Sequence, residues 1–165
     1  MKKEILAYHY SSQQLLSLTI LRVLIGWHFL YEGVAKLFTP GWTSAGFLSE
    51  SKWILSGLTN WIITHNGVLH VVDFLNAWGL VAIGAGLILG LFSRPAAIAG
   101  TLLLLIYYLC TPPLIGIEYT VPPEGSNLIV SKTLIETVAM FLLVIFPTSQ
   151  IIGLDMFLLK TKQSD

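Results

Sequence analysis

Four stretches of the chain read as long apolar runs separated by polar or turn-forming residues. They lie at about 15–38, 70–92, 95–111 and 127–146. A helix crossing a bilayer core needs about twenty mostly apolar residues, and each run is read as one such span. The third run opens on Pro95, which suits the first turn of a helix, and Pro112 and Pro113 end it. Ser93, Arg94 and Pro95 form a tight turn out of the second run, and Pro147 stops the fourth. Tyr107 and Tyr108 fit an interfacial aromatic belt. Residues 41–67 are too polar to span. Within them Trp53, Ile54, Gly57, Leu58, Trp61 and Ile62 recur at i, i+1, i+4, i+5 spacing. That stripe predicts an amphipathic helix over about 51–65, lying on the membrane surface or packed over the mouth of the bundle. The pattern as a whole predicts an all-α membrane protein, a four-helix transmembrane bundle with an amphipathic outer-surface helix between spans 1 and 2, built as one domain over residues 1–165.

Composition supports a bilayer as solvent. Of 165 residues, 55% are apolar and only 11% charged, where a soluble domain is about one-quarter charged. Nine basic and nine acidic residues balance, and no basic tract is present to bind phosphates, so a nucleic-acid partner is not expected. The single cysteine, Cys110, excludes a disulfide within the chain and a self-contained dithiol pair. Near a helix end it reads as a small buried apolar residue. Polar residues from Met1 to Gln14 precede the first run and no Ala-x-Ala-like site follows, which predicts an uncleaved first span. With four crossings, Lys2, Lys3, Arg94, Lys160 and Lys162 fall on one side. Lys52 lies opposite, beside a loop that carries Glu118 and Glu124 and no basic residue. The positive-inside rule then places both termini in the cytoplasm.

The apolar runs carry ionisable groups at suggestive positions. His28, Glu32 and Lys36 are successive i, i+4 neighbours on one helix face, with Arg22 at its edge further toward the cytoplasm. Lys132 and Glu136 form another such pair, about 6–14 Å beyond the outer start of the fourth run. Asp73 and Asn76 open the second run at similar depth. Three helices therefore deliver polar groups to one outer layer. A charge facing lipid costs roughly 2.5–3.5 kcal/mol or more, so these groups are expected to turn inward and pair, Glu32 with Lys132 and Lys36 with Glu136 or Asp73. His28 sits deepest in the layer, and histidine is the side chain suited to proton exchange. The layer reads either as an ion-pair network that locks the helices or as the lining of a binding pocket made by Arg22, His28, Glu32, Lys36, Asp73, Asn76, Lys132 and Glu136. His28 and Glu32 could ligate a metal, but a catalytic zinc site takes three protein ligands, usually with more histidine, and the lysines oppose a cation. No metal, haem or nucleotide is expected. Ala82, Gly86 and Gly90, Ala96 and Gly100, and Gly26 and Gly33 form small-residue stripes that let helix backbones approach, within the bundle or against another subunit.

The segments LRVLIGWHFLYEGVAKLF, GLVAIGAGLILGLFSRPAAIAGTLLLL and SNLIVSKTLIETVAMFLLVIFPTSQIIGLD resemble, in that order, the spans and turns of the DoxX/DoxD-like membrane protein family. The similarity covers about residues 15–158. It implies a four-helix membrane bundle in a bacterial cytoplasmic membrane. It also implies membership of a redox complex with partner proteins or as a homo-oligomer, since a DoxD protein is a subunit of a thiosulfate:quinone oxidoreductase. Quinone is the implied cofactor, seated in the outer polar layer. The matching positions are Arg22, Gly26, Gly33, Lys36, Arg94, Lys132, Glu136 and Asp155. Where the family often has an acid near the start of the second span's glycine-rich run, this chain has Asn76, with Asp73 a turn earlier. Three functions stay open: a quinone-linked redox subunit, a structural or assembly subunit, and a module that binds or transports a small solute.

Overall fold

A computed structural model describes residues 10–114, 116–117, 119–120 and 128–156. Six α-helices follow in chain order: α1 Ser12–Phe38, α2 Ala45–Ser49, α3 Ser56–Thr64, α4 Asn66–Leu89, α5 Ser93–Cys110 and α6 Lys132–Ile145. Local chemistry sets their ends. The Ser11 hydroxyl accepts from the Gln14 backbone N–H while the Gln14 side chain accepts from the Ser11 N–H, so a capping box starts α1. Gly90, at φ 64°, closes α4 in the left-handed conformation that glycine adopts freely.

Three of these helices, α1, α4 and α5, are long and apolar enough to cross a membrane. The chain is a multi-pass membrane protein with three such spans among the described residues, not the four-helix transmembrane bundle expected from the sequence. The run at 127–146 falls short. Leu128 adopts φ 63°, a left-handed backbone that a leucine rarely takes within a helix. The Ser131 hydroxyl then caps the Leu134 N–H, so α6 begins only at Lys132. Its 14 residues reach about 21 Å at 1.5 Å each, against a hydrocarbon core of about 30 Å. Asn127, the predicted start, lies outside the described residues, as do Lys2, Lys3, Glu118, Glu124, Lys160 and Lys162.

The packing is intimate where side chains are small. The two glycines of α1 lie on α4. A Cβ on Gly26 would meet Leu87 and Ile88 at 3.0 Å, and one on Gly33 would meet the Val81 backbone nitrogen at 2.7 Å. Because higher numbers on α1 meet lower numbers on α4, the two helices are antiparallel. On the other side, Gly100 of α5 receives the Met140 side chain of α6. Phe29, Leu80, Leu87, Ala97 and Met140 are buried where these helices meet. Leu24, Trp27, Tyr31, Phe74 and Leu75 point outward, as an apolar face toward lipid does.

The helix predicted over 51–65 is present but shorter, as α3, with Trp53 and Ile54 in the turn before it and the additional short α2 ahead of that turn. Ile54, Leu58 and Trp61 are exposed while Thr59 is buried against the bundle. The segment thus packs over the bundle mouth and still presents an apolar outer face.

Candidate functional site

The i, i+4 spacing on α1 places His28, Glu32 and Lys36 along one wall of a cavity of about 190 Å³, with Glu136 and Thr133 of α6 on another and Tyr107 of α5 between them. Phe29, Leu80 and Leu104 supply its apolar lining. The pairs differ from those expected. His28 Nε2 stands 3.8 Å from Glu136 Oε2, and Lys36 Nζ stands 4.0 Å from Glu32 Oε2. Lys36 also donates to Asn76 Oδ1 at 3.1 Å, and Asn76 Nδ2 donates to the Tyr107 hydroxyl oxygen at 2.5 Å. The Lys36 side chain is only 17% exposed, and its ammonium lies 5.3 Å from the centre of the Trp42 ring and 5.8 Å from that of Tyr107. Such cation–π contacts partly replace lost hydration.

A second cavity of about 240 Å³ lies on the other side of Lys36 and Tyr107, beneath Trp42, Ser44 and Phe47. The segment around α2 forms its roof. Asp73 holds this roof down by accepting from the Ser44 backbone N–H at 2.8 Å and from the Ser44 hydroxyl. Phe47 stacks edge-on against Tyr107 with centroids 5.3 Å apart. Glu50 ties the far end of α2 to the loop after α5, accepting from the Thr120 N–H at 2.9 Å and its hydroxyl at 2.6 Å.

Of the eight residues proposed from sequence, His28, Glu32, Lys36 and Glu136 share the inner cavity and Asn76 bridges to the outer one. Asp73 serves the roof instead. Lys132 is exposed in the first turn of α6. Arg22 lies at the opposite end of the bundle, 3% exposed, where its guanidinium donates to Thr148 Oγ1 at 3.1 Å and to the Ile152 carbonyl oxygen at 2.7 Å. There Asp155 accepts from the backbone N–H groups of Phe92 and Ser93, which pins the start of α5. Sequence reasoning missed Tyr107 and Thr133. Tyr107 carries the signature of a belt tyrosine, and only its neighbour fits that role in part: the Tyr108 hydroxyl donates to the Ile129 carbonyl oxygen. Cys110 is buried and free. Among the described residues no group of three histidine, cysteine, aspartate or glutamate side chains could hold a metal ion.

No curated protein and no solved structure matches the chain. The DoxX family model matches residues 17–111, which run from the second turn of α1 to the end of α5 and so include the helices that carry His28, Glu32, Lys36, Asn76 and Tyr107. With more than half its length matched, the chain belongs to the DoxX family.

Proposed function

We propose that this protein is the membrane subunit of a redox complex and that the inner cavity takes the headgroup of a quinone. The observation that carries this reading is the looseness of the polar layer. Ion pairs built to lock helices close to about 2.7–2.9 Å. Here the His28–Glu136 and Lys36–Glu32 contacts stand at 3.8 and 4.0 Å, with a cavity among them. By contrast, the Arg22 end of the bundle closes to hydrogen-bond distance, as a structural clasp does.

The residues present fit the group. A volume of about 190 Å³ is below the roughly 300–1,000 Å³ of drug-sized sites, which suits one ring and leaves a long tail outside it. Lys36 and Tyr107 offer N–H and O–H donors to carbonyl oxygens. His28 is half exposed on the bundle surface, giving the cavity a side facing the acyl chains, through which a lipid-soluble ligand would enter. A bound quinone supplies the capacity to accept two electrons and two protons, with the electrons delivered by a partner protein. His28 and Glu136 would hold a proton between them at Nε2 and Oε2 and pass it to an oxygen in the cavity. Lys36 would stabilise negative charge developing there. We further take the roof segment around α2, the lid of the outer cavity, and α6 as parts of one domain with the matched region. We place the Arg94 end of the bundle in the cytoplasm, by the positive-inside rule.

The test is to purify the protein with its native partners in mild detergent, extract the lipids and assay them for quinone. Co-purification of near-stoichiometric quinone is expected. A preparation free of quinone, from cells whose quinone reduction is also unchanged by deleting the gene, would sink the proposal.

A further inference from the structure

The hydrogen-bond chain between the two cavities has a fixed direction, and that direction assigns a task to Tyr107. A lysine ammonium only donates. Its contact at 3.1 Å therefore requires the oxygen end of the Asn76 amide. The NH₂ end of that amide is then turned toward Tyr107, and an amide NH₂ also only donates. The Tyr107 oxygen must accept from it. A phenol that accepts still has its own proton to give, and among the described residues no acceptor is engaged with that proton. The Glu32 carboxylate lines the same cavity but makes no hydrogen bond to that hydroxyl among the described residues. Tyr107 lines both cavities and sits where Lys36 and Phe47 restrict its ring.

We propose that Tyr107 is a ligand-binding residue whose hydroxyl proton is presented to a carbonyl oxygen in the inner cavity, and that Asn76, set by Lys36, is the positioning residue that presents it. This deepens the quinone reading and rests on it. The ligand must carry an acceptor at the Tyr107 end, and a ligand with only a donor there would be rejected by an unpaired polar contact.

The chain of donors makes an unusual forecast for Asn76→Asp. An aspartate at this position accepts from both neighbours. Lys36 gains an ionic partner, so the fold is held at least as well, but Tyr107 now turns its proton onto the carboxylate and no longer offers it to the ligand. Asn76→Asp and Tyr107→Phe are therefore expected to weaken binding alike, by roughly tenfold for one hydrogen bond to the ligand. The double variant is expected to be no worse than either single one.

The experiment measures binding of a decyl-tailed benzoquinone to the purified full-length protein, with the infrared carbonyl stretch of the bound quinone recorded beside it. Thermal unfolding in the same detergent confirms that each variant is folded. Equal, non-additive losses, with the carbonyl stretch returning toward its unbonded frequency in both single variants, support the proposal. Wild-type protein that binds the quinone while folded Tyr107→Phe and Asn76→Asp bind it equally well overturns the Tyr107 assignment and leaves the quinone reading standing. Wild-type protein that binds no quinone overturns both. If Asn76→Asp does not fold, Tyr107→Phe alone decides through the carbonyl shift.

Discussion

The Arg22 guanidinium and the Ile152 carbonyl oxygen meet at 2.7 Å although 130 residues separate them in the chain. This contact, with the Thr148 hydroxyl beside it, holds the segment after α6 against α1. Leu154 and Asp155 then donate backbone N–H groups to the carbonyl oxygens of Leu89 and Gly90. A buried cation that keeps its charge needs such acceptors. Arg22→Gln is expected to destabilise the protein by about 1.5–3 kcal/mol, the worth of hydrogen bonds to a charged group, while leaving quinone binding to the folded fraction unchanged. Thermal unfolding and ligand binding in one detergent measure both quantities. Lost binding with intact stability would move Arg22 back into the site.

Glycine at the α1–α4 seam sets how closely these helices approach. At Gly33 a Cβ would lie 2.7 Å from the Val81 nitrogen and 2.9 Å from the Ala77 carbonyl oxygen. Backbone atoms cannot swing aside as a flexible side chain does, so Gly33→Ala is expected to cost roughly 1–3 kcal/mol. Gly79 of α4 is the internal control, because nothing lies within 4 Å of a Cβ there. Gly79→Ala is expected to be neutral or to gain up to about 1 kcal/mol from helix propensity. Thermal stability of the two variants checks the contrast, and equal effects would place the seam elsewhere.

Much of this arrangement was legible in the sequence, and the rest was hidden for identifiable reasons. The shared face of His28, Glu32 and Lys36 follows from helical spacing. Their depth relative to Glu136 follows from counting along antiparallel helices, so the inner cavity was in reach. Lys132 does not line the inner cavity, because the same counting fixes depth and not azimuth, although its charge still reaches Glu136. At the first turn of α6 its side chain is exposed, and lysine can extend toward a polar interface from there. The fourth span was overread because hydropathy does not register a left-handed Leu128 followed by a capping Ser131. Asp73 matched the depth of the cluster, but its partner is Ser44 of the lid, a contact over a loop whose path no periodicity describes. Tyr107 was hidden because the role proposed for it depends on the orientation of an amide on α4, three helices after Lys36 in the chain order.

The lid carries a pH response of defined sign. Glu50 is held below the usual glutamate value, first by the Thr120 hydroxyl, then by the Thr120 backbone N–H, with Lys52 adding to both. A carboxyl with a lowered folded-state pKa stabilises its contact above the unfolded value and loses that stabilisation as pH falls through the folded one. The tie between α2 and residue 120 is thus expected to hold from neutral pH down to the ordinary glutamate range and to release below it. Among the described residues Lys52 and Tyr119 also stand beside Glu50. Fluorescence of the lid tryptophans, titrated between pH 6 and pH 3, is expected to show a transition in wild-type protein that Glu50→Gln removes. A transition of the same midpoint in the variant would assign it to another carboxyl.

Glu136 separates a binding layer from a structural one. Its carboxylate faces His28 across 3.8 Å, beyond the range of a good hydrogen bond. Removing the charge should therefore cost the fold little. Polar contacts between membrane helices are worth about 1 kcal/mol or less on average, and Glu136→Gln keeps the shape and one acceptor oxygen. The expected outcome is a thermal unfolding temperature close to wild type, together with loss of quinone-linked activity in the assembled complex. His28→Asn is expected to behave in the same way, because it removes the other half of the pair that would hold the proton. The two losses should not add, since either change removes the pair that would share the proton between Nε2 and Oε2. If Glu136→Gln instead lowers folded yield and stability while the surviving protein keeps full activity, the polar layer is a clasp like the one at Arg22, and the inner cavity is only space left between imperfectly closed ion pairs.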